Sequence, residues 1–411
     1  MTKAKSSLNG DWLILLYFSG TSPGQYKDNS AILRELEKTS KGLGANATCL
    51  YQLSGTSKTV WGAILDDGKQ HILYEGDPID ITKPEFLTKF IDWGVGRTRG
   101  PRTDRPRIAL FVKDDGTGWE PDLPKKNESA RGAGEAKPFA LLFNGRRFMP
   151  LSGLRVAVQK SGVGAVDIYG FDGCDMGTLE TMYEIRRIAQ IGIAGNSTVD
   201  KAGFSYAPFL YRMRSDSPPL TVPEAARCLV QLTRSNPKTN DQGIFGVDLA
   251  RVDRVAAAVD ALGLALDAQD AGEISAALEQ RVLGNEDVVL TVLLDVVQNL
   301  GGDVGDKARA LRGLLSELYI PEKASENGLT IFMPAQGSQY FAHYGATAFG
   351  RRVSPSRLEY TWGEFLGLFN AKLLAAASTC IVELGASPAS AALQNLPPTP
   401  PVAPTTAFPV P

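Results

Sequence analysis

The sequence predicts an α/β fold: a mostly parallel sheet flanked by helices, followed by a helical C-terminal portion. Three observations lead there. Five short apolar runs in the first half each end near Gly or Asp, as buried strands bounded by turns do. Between several of them lie segments with apolar residues on one helical face. Strands that alternate with helices in this way form sheets covered on both faces.

The strand-like runs are WLILLYFSG (12–20), TCLYQLSG (48–55), HILYEG (71–76), RIALFVK (107–113) and VDIYGF (166–171). The helix-like segments between them cover 29–44, 82–96 and 149–162. The first ends in Gly, and the second starts at Thr82 with a proline in its first turn. Helical periodicity returns at 221–235, 248–268, 288–301, 306–318 and 362–379, with one more strand expected at NGLTIFMP (327–334). The expected organisation is an α/β core over 1–215, a mainly helical portion over 216–384, and a Pro/Ala-rich tail over 385–411. Such a tail lacks the apolar residues needed to fold on its own.

Hydrophobic residues make up 43% of the 411, enough for a large core, and the formal net charge is −2. That balance gives no electrostatic case for nucleic acid or an anionic membrane. No apolar run reaches the roughly 18–20 residues of a membrane span. The N-terminal MTKAKSSLNGDW has no apolar core of a signal peptide, so a cytoplasmic location is expected. Cys49, Cys174, Cys228 and Cys380 are too scattered for a disulfide framework or a paired zinc site. His71 and His343 are the only histidines, so HExxH chemistry is absent and any Cys–His mechanism must use one of these two. No phosphate-cradling glycine loop is present, and no cofactor is expected.

The segment VDIYGFDGCDMGTLETMYEIRRIA (166–189) carries the most chemistry. A strand ends at Phe171, Asp172, Gly173 and Cys174 follow, and Thr178 is placed to cap a helix with Glu180 in its first turn. A cysteine between a strand end and a helix start is a good place for a nucleophile. The helix end could lower the thiol pKa and offer N–H groups to an oxyanion. A small buried cysteine at a crowded turn fits the same spacing. Upstream, KDDGTGW (113–119) leaves the strand at 107–113 into a Gly-rich loop. Asp114, Asp115, Glu120 and Asp122 lack the alternating acids of an EF-hand and are expected to form a solvated acidic loop, with no metal site. Residues 119–138 are polar and rich in Gly and Pro, as an exposed loop would be. Arg186 and Arg187 fit a solvated face or a structural ion pair.

GFDGCDMGTLETMYEIR resembles the nucleophile segment of the clostripain-like (C11) cysteine peptidases. WLILLYFSG, PEFLTKFIDWG, IALFVKDDGTGW, FGVDLARVDRVAAAVDAL and NGLTIFMP are similar, in order, to further family segments, covering about residues 10–370. The resemblance implies a caspase-like sheet and a Cys–His peptidase that cleaves after Lys or Arg. It matches Cys174 to the nucleophile and Asp172 to the acid of the basic-residue pocket, with Gly116 and Gly173 beside the oxyanion site. It also implies maturation by cuts in the 119–138 loop, where Lys125, Lys126 and Arg131 stand, and calcium dependence in some members. The histidine of the family motif falls at position 115, where this chain has Asp115.

An aspartate there works against the chemistry. Its charge raises the pKa of a nearby thiol, and its own pKa of about 3.9 makes it a poor base. Moving the thiol proton to a carboxylate is uphill by about 6 kcal/mol before environment is counted. Two functions follow from the resemblance: an impaired pseudopeptidase that binds a protein partner, or an active endopeptidase with Cys174 and another base.

Overall fold

The computed structural model of the chain describes residues 10–42, 46–98, 105–116, 140–144, 147–237, 243–279, 287–321, 328–334, 344–345, 347–351 and 360–383. Its strands are β1 (Trp12–Gly20), β2 (Ala47–Gly55), β3 (Thr59–Ile64), β4 (Gln70–Gly76), β5 (Arg107–Lys113), β6 (Ala140–Asn144), β7 (Arg147–Pro150), β8 (Val166–Asp172), β9 (Ala189–Gly195), β10 (Ile244–Asp248), β11 (Asp287–Val289), β12 (Tyr319–Ile320) and β13 (Thr330–Phe332). Nine of them form one sheet in the order β12-β10-β9-β8-β5-β1-β2-β3-β4. The five central strands, β9 to β2, are paired in parallel, and the two outer strands at each edge join through antiparallel pairings.

The central strands are apolar because they are covered on both faces. All nine residues of β1 are buried, and they alternate between two cores. Leu13, Leu15 and Tyr17 pack with the helices Pro84–Thr98 and Leu151–Lys160. Trp12, Ile14, Leu16 and Phe18 pack against Pro23–Thr39, Tyr206–Ser215 and Val222–Arg234 on the other face. The period of two along a strand produces this division. Beyond residue 216 the chain adds β10 and β12 to the same sheet. The helices Val252–Asp267, Gly302–Leu318 and Trp362–Glu383 extend the first core as far as Phe369.

The strands at 12–20 and 107–113 begin and end where the sequence places them. β3 and β9 were not among the expected strands. The predicted helix at 288–301 starts later, because Val288 and Val289 pair with Ile331 and Thr330 in a separate two-stranded sheet, β11-β13. No helix among the described residues is long and apolar enough to cross a membrane.

Candidate active site

β5 and β8 are neighbours and run parallel, with Lys113 opposite Asp172 at their last rung. Their exits therefore leave the same edge side by side, at the carboxyl ends of the strands where ligand sites of such sheets lie. The two exits are sewn together. Asp114 N–H donates to the Asp172 carbonyl at 3.2 Å, and Cys174 N–H donates to the Asp115 carbonyl at 2.7 Å. Gly116 permits this approach: its φ is +72°, and a Cβ there would lie 2.6 Å from the Cys174 carbonyl oxygen.

After Cys174 the chain turns through Asp175, which holds a φ of 55°. Thr178 then caps the helix Leu179–Ile185, its hydroxyl accepting the Thr181 N–H at 3.0 Å. The expected cap is in place. Glu180 is in the first turn but buried, accepting from Tyr344 Oη at 2.8 Å and from Phe332 N–H at 3.3 Å. Burial pushes its carboxyl up to about 7.

Cys174 is half-buried, and Val199 N–H reaches its Sγ at 3.4 Å. It lines a cleft with Asp115, Asp172, Lys113, Gln25 and Asp200. Burial pushes the thiol pKa up. The Val199 N–H and Lys113 oppose that, while Asp175 and Asp115 add to it. The expectation of a helix-activated thiol is therefore corrected: Asp175 to Gly177 separate the cysteine from the helix end, and desolvation outweighs the donors. The Cys174 N–H is also engaged by Asp115, so it is not free for an oxyanion in this arrangement.

Asp114 departs from the solvated loop expected of it. It is buried, and its Oδ1 accepts from Gln25 Nε2 at 3.0 Å and from the Asp115 N–H at 2.8 Å. Asp115 itself is exposed at the cleft. No three metal-ligating side chains cluster among the described residues.

Asp172 is fully buried. Its Oδ2 accepts from Tyr206 Oη at 2.8 Å and Phe204 N–H at 3.3 Å, and lies 3.3 Å from Lys113 Nζ. Neither Lys113 nor Tyr206 was singled out from the sequence. The Asp172–Tyr206 contact spans 34 residues, and the Lys113 contact follows only from sheet register.

His71 is elsewhere. It stands at the start of β4, four strands from β5, roughly 19 Å at ordinary strand spacing. Its Nε2 pairs with Asp67 Oδ2 at 2.8 Å. Arg186 forms a structural ion pair with Asp253 at 2.6 Å and stacks on Tyr183. His343, Glu120, Asp122, the 119–138 loop with Lys125, Lys126 and Arg131, and the tail over 385–411 lie outside the described residues.

A large, mostly parallel sheet with helices on both faces, with a cysteine after a central strand, has the caspase-like fold. Residues 104–298 match the family model Peptidase_C11, the clostripain family. Solved C11 proteases share the fold. Iotapain, a secreted C11 cysteine protease of Bacteroides thetaiotaomicron, superposes with a TM-score of 0.62 at 13% identity, covering 83% of this chain and 98% of that one. An inactive zymogen C11 protease of Parabacteroides distasonis gives 0.59 at 18% identity, covering 84% and 98%. A secreted C11 cysteine protease of B. thetaiotaomicron bound to an irreversible peptide inhibitor gives 0.55 at 14% identity, covering 76% and 83%. No curated protein matches in sequence. Over residues 104–298 the chain is similar to the clostripain family, and over most of its length it shares the fold of solved C11 proteases.

Proposed function

We propose that this chain is an impaired C11 peptidase whose cleft binds polypeptide without cleaving it. The observation that carries this is Asp115 at the exit of β5, its carbonyl bonded to the Cys174 N–H and its charge among those that raise the thiol pKa. A carboxylate there stabilises neither the thiolate nor a departing amine in the way an imidazolium would. His71, the one histidine among the described residues, is too far to replace it. A partner polypeptide, or the chain's own assembly, would use the cleft formed by the two strand exits.

A second reading is an active endopeptidase with Cys174 as nucleophile. It is favoured by the position of Cys174, half-buried on a cleft after a central strand. The test separates the two. A fluorogenic peptide library with basic and uncharged residues at the cleaved bond is offered to the wild type, Cys174→Ala and Asp115→His. The proposal expects wild type and Cys174→Ala to be indistinguishable. It expects Asp115→His to exceed both by about 100-fold, the lower end of what a positioned general base contributes.

A further inference from the structure

The floor of the Cys174 cleft holds a buried charge pair. A buried carboxylate is costly unless a cation and hydrogen bonds compensate it. At Asp172 Oδ2 the compensation comes from within the chain, while Oδ1 is buried with no hydrogen-bond partner among the described residues. Lys113 arrives from the neighbouring strand at the opposing rung, and its Nζ lies 3.3 Å from Asp172 Oδ2. The lysine side chain is only 10% exposed and the aspartate side chain 0%. Tyr206 Oη and the Phe204 N–H complete the contacts to the same oxygen. The turn at Gly203 closes over the pair: its φ is +65°, and a Cβ there would come within 2.7 Å of Lys113 Nζ and closer still to Asp172 Oδ2. Lys113 and Asp172 nonetheless both line the cleft beside Cys174.

An incoming arginine or lysine would meet an acid already neutralised, beside an ammonium of its own sign. Displacing Lys113 would mean pulling that ammonium out of a geometry the sheet register fixes. We propose that Lys113 is a built-in cationic occupant of the Asp172 site, so that a polypeptide in this cleft presents an uncharged side chain to its floor. The inference rests on the cleft being a polypeptide site, and it makes Lys113 a specificity-determining residue there.

The test is the binding of a guanidinium probe, Nα-acetyl-arginine methylamide, by calorimetry and by thermal shift. It is applied to the full chain as wild type, Asp172→Asn, Lys113→Met and the double variant Lys113→Met/Asp172→Asn. Wild type and Asp172→Asn are expected to show no difference in probe binding. Lys113→Met is expected to bind the probe at least about tenfold more tightly than wild type and to gain melting temperature with it. The double variant is expected to lose both gains. A lysine with a purely structural role would leave Lys113→Met less stable with no gain in probe binding, and that result overturns the proposal. So does a wild type that already binds the probe in an Asp172-dependent way. If Lys113→Met does not fold, Lys113→Ala is refolded with n-propylammonium and probe binding is then measured as the amine is withdrawn. Probe binding that rises as the amine leaves supports the proposal, and probe binding that does not change overturns it. Peptide hydrolysis by the wild type would contradict the impaired-peptidase reading while leaving these binding outcomes as they are.

Discussion

The exits of β8 and β5 lie side by side and differ in what they keep. The β8 exit carries a half-buried Cys174, a turn through a positive-φ residue, and a capped helix further on. The β5 exit has the same backbone approach, held by Gly116, but carries Lys113 and Asp115. One side chain pairs with the buried acid of the cleft, and the other raises the pKa of the thiol. Backbone architecture and side-chain chemistry are separable here. Hydrogen bonds and glycine conformations can hold two strand ends together whether or not the groups they present react.

The largest effect expected from disturbing this pair is on stability. Lys113→Met leaves Asp172 buried with no cation and should cost about 3–5 kcal/mol in denaturant unfolding. A loss near zero would mean that the buried carboxylate does not depend on the ammonium, and the exits would then be coupled by backbone alone.

Glu180 tests the β8 side. Its carboxyl, at about 7, lies above the unfolded value of about 4.5, so the folded state binds the proton more tightly. The stability it contributes is full below pH 4.5 and is lost as pH rises through 7. Glu180→Gln, which can still accept from Tyr344 and Phe332, should flatten that decline. At pH 8 it should be more stable than the wild type, by up to about 3 kcal/mol. Urea unfolding across this range checks it. Identical profiles for the two proteins would show that the wild-type carboxyl stays ionised in the core.

Gly116→Ala tests the seam itself. A Cβ would strain the left-handed backbone and press on the Cys174 carbonyl, at a cost of about 1–3 kcal/mol. The smallest effect is on reactivity. Site-resolved mass spectrometry of iodoacetamide labelling should place the Cys174 midpoint above that of a free thiol, and Asp115→Asn should lower it. An unchanged midpoint would remove Asp115 from the account of the thiol.

Much of this fold was legible in the sequence, for a physical reason. β1, β5 and β8 lie in the middle of the sheet, so nearly every residue must be apolar and the run stands out. β3, TVWGAI, and β9, AQIGIAG, are interrupted by glycine and do not stand out as apolar runs. Cys174 and Asp172 were legible because their segment is continuous. The environment of each was not. Lys113 meets Asp172 through register, Val199 reaches the thiol from 25 residues away, and Glu180 is buried by Tyr344 from 164 away. Asp114 gave the same signal as Asp115 in the string KDDG, yet one is buried against Gln25 and the other is exposed. Neighbouring letters do not show which way each side chain turns at a strand exit.

On the reading proposed above, peptidase chemistry is missing at position 115, where Asp115 stands, while Cys174 keeps its place after β8. Hydrolysis of the fluorogenic library by wild type, Cys174→Ala and Asp115→His, in folded protein at neutral pH, tests it most directly. The account predicts no turnover above Cys174→Ala in the wild type, and Cys174-dependent turnover that appears with Asp115→His. Turnover by the wild type that Cys174→Ala abolishes would contradict it.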